Sequence, residues 1–335
     1  MATANLDKIK VTRQVSRPGI VFAIDRLPGS GRMIIGGSDF KVYELDLDQE
    51  KPEPTPLGAH ESYVTGLVCV NGNTVVSCGY DGRLIWWDVE ARSPVRSIDA
   101  HKRWVRRLAI TPDRKVVVSV ADDMVCRLWD AETGSLLREL RGHAEMTPHH
   151  FKSMLHAVAV SPDGRHVATG DKVGHTVVWD LATGASLASL EVPGLYTWDP
   201  VQRRHSIGGI RSLAFSPDGR LLAAGGIGKI NNIDGLEAPA RVEVFDWRKG
   251  ERTHEFPGDK FNGIVERLEF HPGGDWLLGA GGGKDDFLIF YDLPNKKLLT
   301  QEKAPMHVHD LVLGDSCDTI TAAGFGKVAV FDLKG

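Results

Sequence analysis

Two stretches of this chain carry the same four side chains in the same order. His60, Ser77, Asp81 and Trp87 stand in the first, and His101, Ser119, Asp123 and Trp129 in the second. A serine, a histidine and an aspartate could serve as nucleophile, base and orienting carboxylate, the chemistry of an acyl-transfer triad. Two features oppose that use. The set is duplicated at matching spacing, with Asp six residues before Trp in both copies, whereas catalysis needs one site. Neither serine lies in a glycine-rich elbow of the kind that presents a nucleophile. The expected role of both sets is therefore structural.

Other chemical signals are weaker. LLGAGGGKDD (277–286) resembles a phosphate-binding loop, but it is one residue short of the Walker spacing and carries Asp285 after Lys284. It also leads into a strand pattern, so no helix N-terminus is available to cradle a phosphate. AAGGIGK (223–229) fails for the same reason. His143, His149, His150 and His156 match no zinc-ligand spacing and gain no cysteine or paired acid; a solvated loop is expected, with His143 completing a Gly-His pair. Cys69, Cys78, Cys126 and Cys317 lie in apolar surroundings without a CxxC, and are expected to be reduced thiols packed as small apolar side chains. No metal, cofactor or catalytic residue is expected.

The elements that carry these side chains repeat. Residues 58–88 and 99–130 each read as a histidine, a strand, a turn, a second strand ending in serine, then Asp and a Trp-Asp pair. Trp179-Asp180 repeats the terminal pair, and Tyr43-Glu44, Phe245-Asp246, Tyr291-Asp292 and Phe331-Asp332 are weaker copies, which makes seven. The turns TPD (111–113), SPDG (161–164 and 216–219) and HPGG (271–274) recur between the first two strands. Proline presets φ there and glycine supplies positive φ. Short, evenly spaced strands without helical periodicity predict an all-β fold.

The chain resembles the WD-repeat (WD40) family over nearly its whole length, and the SPDG turns resemble those of bacterial members. The signature is most complete at 58–181; the first, fifth, sixth and seventh copies depart from it. The resemblance implies one seven-bladed β-propeller over residues 1–335, with third strands ending near 44, 88, 130, 180, 246, 292 and 332. It further implies that His60, Ser77, Asp81 and Trp87, and likewise His101, Ser119, Asp123 and Trp129, form buried hydrogen-bond chains. In the fourth copy Thr169 and Trp179 remain, but Val173 stands where the aspartate is expected. Ala224 and Gly279 replace the serine in the fifth and sixth. The last copy stops after its third strand, and IKVTRQ (9–14) is expected to pair beside it, closing the ring and removing two open edges.

Composition bounds the partners. With net charge −4 and pI about 6.4, no global basic field invites a phosphate backbone, so nucleic acid is not expected. No apolar run approaches a membrane span or signal peptide, which makes a cytoplasmic location the expectation.

Surplus length marks where function is expected. His-to-Trp spacing is 27 and 28 residues in the clean copies but 36 from His143 to Trp179, owing to AEMTPHHFKSM (144–154). Further insertions are GLYTWDPVQRRHSIGG (194–209) and GKINNIDGLEAPA (228–240). In a blade, connections alternate between faces, so all three are expected on one side; long loops in a compact fold are often functional. Aromatic and arginine side chains are enriched at interface hot spots. The expected partner-binding residues are Trp198, Arg203, Arg204 and Arg211 around the insertions. Tyr63, Tyr80, Trp104, Arg106, Lys172 and His307 are expected along the same face. The expected function is a non-enzymatic scaffold or adaptor that binds a protein or peptide. An architectural subunit of a homo-oligomer and a central-channel enzyme are the alternatives, and the oligomeric state is left open.

Overall fold

The structure, a computed structural model, describes residues 6–199, 205–230 and 237–334. Nearly every element is a strand, apart from two three-residue 3-10 turns. The middle strands Thr74–Gly79 (TVVSCG) and Val116–Ala121 (VVVSVA) are buried almost end to end. Their β-branched residues fit a pleated surface, and continuous burial fits a strand covered on both faces. The outer strand Ser93–Asp99 is largely exposed. No helix among the described residues is long and apolar enough to cross a membrane.

Five sheets have four strands each, ordered as in the chain, and one sheet has six. A two-stranded ribbon pairs Tyr196–Asp199 with His205–Gly208. The expectation of seven separate blades is corrected here: six sheets of blade size are present, because the first and last sequence copies share one. The cause is the strand Lys10–Arg26. Its first half pairs with the C-terminal strand, from Lys10↔Asp332 to Ser16↔Lys327. Its second half pairs with Arg32–Gly37, from Val21↔Gly37 to Arg26↔Met33. Between the halves the register shifts at Gly19, whose φ of 78° suits a residue without a Cβ. Thr319–Asp332 bends opposite it at Gly326, φ 74°. The pairing thus resumes at Ile20↔Phe325 after an irregularity between Ser16 and Ile20, and one sheet spans both halves.

The first copy also ends later than its sequence suggested. The strand Lys41–Asp46 pairs Arg32↔Asp46, which puts fully buried Leu45, not Tyr43, in the position held by Trp87 in the next copy. Tyr43 instead points its hydroxyl at Asp39, 2.7 Å away.

The chain divides into two compact units. The first comprises Met1–Asp123, Arg127–Leu137 and His309–Gly335. In its core Trp87 packs with Leu57, Val64 and Val75, and Trp86 with Val105, Leu108 and Trp129. Gly58 is needed beside Trp87, since a Cβ there would lie 2.2 Å from the indole. The second unit comprises Met124–Cys126 and Arg138–Val308. Its core centres on Leu195, Ile210 and Trp247 in one layer and on Phe256, Phe287 and Tyr291 in another.

Candidate docking site

Three hydrogen-bond chains stiffen the framework. In the first unit the Trp87 indole donates to Ser77 Oγ at 2.7 Å, Ser77 meets His60 Nε2 at 2.7 Å, and His60 Nδ1 meets Asp81 at 2.8 Å. The second set repeats this: Trp129 to Ser119 at 2.8 Å, Ser119 to His101 at 2.7 Å, His101 to Asp123 at 3.0 Å. A carboxylate only accepts, so Nδ1 carries the proton and Nε2 accepts from the hydroxyl. Each serine already receives an indole N–H and lies fully buried. That geometry ties strands together and gives no substrate access to the hydroxyl. Burial raises the Asp123 carboxyl, but hydrogen bonding and charge from His101 and Arg127 outweigh it and hold the group well below the usual carboxylate range. Asp81 shifts the same way through His60.

The third chain, in the second unit, corrects the sequence reading. Its acid is Asp171, two residues before Val173. His143 Nδ1 meets Asp171 Oδ2 at 3.0 Å, His143 Nε2 meets Thr169 at 2.8 Å, and Trp179 donates to Thr169 at 2.9 Å. Asp171 Oδ1 accepts from the turn amides of Val173 and His175, each at 3.0 Å. The expected solvated histidine loop is corrected at two of its four histidines: the His143 ring is 2% exposed and His156 is buried, while His150 is exposed.

Two other groups that could do chemistry are committed to structure. Asp25, raised by burial despite amide hydrogen bonds, accepts from Cys69 N at 2.7 Å. Burial pushes the Cys69 thiol well up and the Cys78 thiol up to about 12, so neither is a ready nucleophile. A cavity of about 390 Å³ in the first unit is lined by Arg13, Arg26, Met33 and Leu47. Arg13 donates to the Leu47 and Gln49 carbonyls, and Arg26 pairs with Asp315.

The first unit carries an exposed aromatic strip. Phe40 and Tyr63 lie 5.5 Å apart between ring centroids, and Tyr63 and Tyr80 5.7 Å. Tyr80 and Trp104 stack at 4.4 Å with 7° between planes. Phe22 joins from the side, 5.7 Å from Tyr63. Phe40 and Tyr63 are each 39% exposed and Trp104 49%, so the contiguous apolar surface is open to solvent. Arg106 lies 5.0 Å from the Tyr80 centroid and 5.1 Å from that of Trp104. It donates two bonds of 2.7 Å to Asp122 and one of 2.6 Å to Tyr80 Oη.

Tyr63, Tyr80, Trp104 and Arg106 thus stand together. Phe40 and Phe22 were missed. Phe40 holds φ 72° in the turn where the next copy has Gly82 at φ 82°. A bulky residue in that region is an outlier of the kind that collects at functional sites. The only sequence signal was a phenylalanine in a turn position that favours glycine.

In the second unit the three insertions meet. His149 stacks on Trp198 at 4.1 Å and bonds Tyr196 Oη at 2.9 Å, while Phe151 packs against Trp198 at 5.5 Å. Ile230 N donates to Thr197 Oγ1 at 2.9 Å, and Ile207, Ile227, Ile230, Ala238 and Ile264 form a small core. Trp198 is therefore half-covered by its own neighbours. Lys172 is buried, Arg211 is half-buried with Nε unbonded, and His307 lies 3.9 Å from Glu266. Arg203 and Arg204 fall outside the described residues.

Against known proteins, the family model for the WD domain, G-beta repeat, matches residues 51–88, 92–130 and 198–230. The first two segments contain the His60 and His101 hydrogen-bond chains. The chain is 26% identical over 274 residues to telomerase protein component 1 of Mus musculus, covering 82% of this chain and 9% of that protein. It is 27% identical over 196 residues to apoptotic protease-activating factor 1 of Rattus norvegicus, covering 58% and 15%. It is 30% identical over 167 residues to nuclear distribution protein PAC1 of Arthroderma otae, covering 45% and 33%. The chain spans only a minor part of the length of each. Those three segments match the WD repeat, and the all-β fold is of the β-propeller type. The bacterial character expected from the SPDG turns has no support among these relatives.

Proposed function

We propose that this WD-repeat chain is a non-enzymatic interaction scaffold that docks a protein or peptide on the strip formed by Phe40, Tyr63, Tyr80 and Trp104. The observation that carries the reading is the exposure of the stacked Tyr80–Trp104 pair and its neighbours on rigid strands. Large aromatic groups held in place lose little entropy on binding and supply the anchors that dominate interface energy. The framework under them is stiff: His60 and His101 lock the turns on either side. Trp198 with His149 forms a second contact surface in the other unit. WD-repeat relatives and the commitment of the candidate acids and thiols to structure favour binding over catalysis. A cytoplasmic location, with the four buried free thiols reduced, belongs to this reading.

The test is capture of partners from a cell extract by wild type, Trp104→Ala and Trp198→Ala, each checked for an unchanged melt. Loss of partners with Trp104→Ala is expected. Identical partner sets from all three would sink the reading. Mass in solution, measured in parallel, separates it from an architectural role in a homo-oligomer, which requires self-association.

A further inference from the structure

The strip has polar features that narrow its ligand. Arg106 lies beside the stacked pair, 5.0 Å from the Tyr80 centroid and 5.1 Å from that of Trp104, and is neutralised by both oxygens of Asp122, while Lys102 and Arg103 stand exposed next to Trp104. A ligand lysine or arginine would meet the like charge of Arg106, Lys102 and Arg103, and a phosphate or carboxylate at Arg106 would have to compete with Asp122. Two donors remain. Among the described residues, neither the Trp104 indole N–H nor the Tyr63 hydroxyl has a protein hydrogen-bond partner, and both belong to rings more than a third exposed. The indole N–H can only donate. At the rings themselves the ligand therefore has to bring hydrogen-bond acceptors together with apolar surface that packs on aromatic rings.

We propose that the strip binds a proline-rich segment in the polyproline II conformation. This deepens the docking reading above and rests on it. Such a segment has no internal hydrogen bonds, so its carbonyls are free acceptors, and its rings present apolar faces. It is also ordered before binding, which suits a rigid, preformed surface. The tilted rings, 51° between Phe40 and Tyr63 and 49° between Tyr63 and Tyr80, leave wedge-shaped clefts between them. At about 3.1 Å per residue, the four-ring ladder matches at most roughly five residues of polyproline II. Trp104 and Tyr63, on either side of Tyr80, then donate to separate carbonyls of the ligand. Lys102 and Arg103, exposed beside Trp104 and without an ion pair among the described residues, lie where an acidic flank of the segment would pass.

The experiment uses the full chain with indole-labelled tryptophan, titrated with capped decaproline, a Gly-Ser decapeptide and a phosphoserine decapeptide. Decaproline is expected to shift the Trp104 indole N–H resonance, and the Gly-Ser peptide to leave it in place. Trp104→Phe keeps a ring and loses the donor, and Tyr63→Phe does likewise. Each is expected to weaken decaproline binding about fivefold, the worth of one net hydrogen bond of about 1 kcal/mol, at unchanged melting temperature. The proposal is overturned if Gly-Ser binds as well as decaproline, or if both phenylalanine variants keep full affinity. If the phosphoserine peptide alone moves the Trp104 signal, the docking reading stands and this one falls. If no peptide moves it and Trp104→Ala still captures every partner, both fall.

Discussion

The Trp104 indole lies flat on the Tyr80 phenol, 4.4 Å away and 7° from parallel, yet half of its surface faces solvent. A stacked aromatic pair is worth roughly 0.5–1.5 kcal/mol, a small sum for holding a tryptophan in water. Trp104→Ala is accordingly expected to cost no more than about 1.5 kcal/mol of stability. Arg106→Ala is expected to cost more, because it removes two hydrogen bonds to the half-buried Asp122 carboxylate and one to the Tyr80 hydroxyl. Urea denaturation of the two variants checks the order. If Trp104→Ala proves the more damaging, the indole is a packing residue and the strip loses its claim to be a binding surface.

The His143 chain makes a sharper demand. Asp171 spends one oxygen on His143 and the other on two turn amides, just as Asp81 serves His60 and the amides of Glu61 and Arg83. Removing either carboxylate leaves buried donors without acceptors, at about 2–3 kcal/mol. Asp171→Ala is expected to destabilise as much as Asp123→Ala. Val173→Asp should bring no gain, since His143 is already satisfied. Thermal melts of the three variants decide it; a stabilising Val173→Asp would mean that the acid position had been filled poorly.

How much of this was legible in the sequence depended on distance along the chain. The strands, the His60 and His101 chains and the SPDG turns show themselves in short windows, because proline, glycine and the Trp-Asp pair act locally. Asp171 escaped because spacing gives a residue's place in the string and not the direction from which its side chain reaches the histidine. Phe40 escaped because its turn looks like any other until its φ is known. The pairing of residues 9–14 with the C-terminal strand, where Thr12 Oγ1 donates to Val330 O, was legible from the strand missing in the last copy, but the run of that same strand on into the first copy's sheet was not, because no local pattern announces it. Burial was misjudged at His143, since a histidine beside a polar insertion reads as solvated until its partners are known.

Acid should weaken the framework in a defined direction. The folded Asp123 carboxyl is held well below the usual range: burial raises it, and His101 and Arg127 more than offset that. In the unfolded chain it titrates near pH 3.9. The folded state therefore binds fewer protons, so this contribution is fully present above about pH 5 and is lost as pH falls through the folded pKa. Asp123→Asn, which does not titrate, is expected to show a shallower loss of urea midpoint between about pH 5 and about pH 3 than wild type. Parallel pH profiles would place the acid sensitivity in other carboxylates.

The strand Lys10–Arg26 is the element whose removal tests the topology most directly. Residues Lys10 to Ser16 cover one edge of the C-terminal strand, and Val15 packs with Val21, Ile35 and Val328 in the same apolar layer. Deleting residues 1–15 bares the backbone groups of Val328 to Asp332 and removes Val15 from its partners. An uncovered edge also invites pairing with other chains. The truncated chain is expected to melt lower, at roughly 1–2 °C for each kcal/mol lost in a protein of this size, and to associate at concentrations where the full chain does not. A synthetic peptide of residues 6–19 should restore part of the melting temperature by occupying the vacated edge. An unchanged melt on truncation would mean that the pairing contributes nothing to stability, and that the six-stranded sheet is held together from its other strands alone.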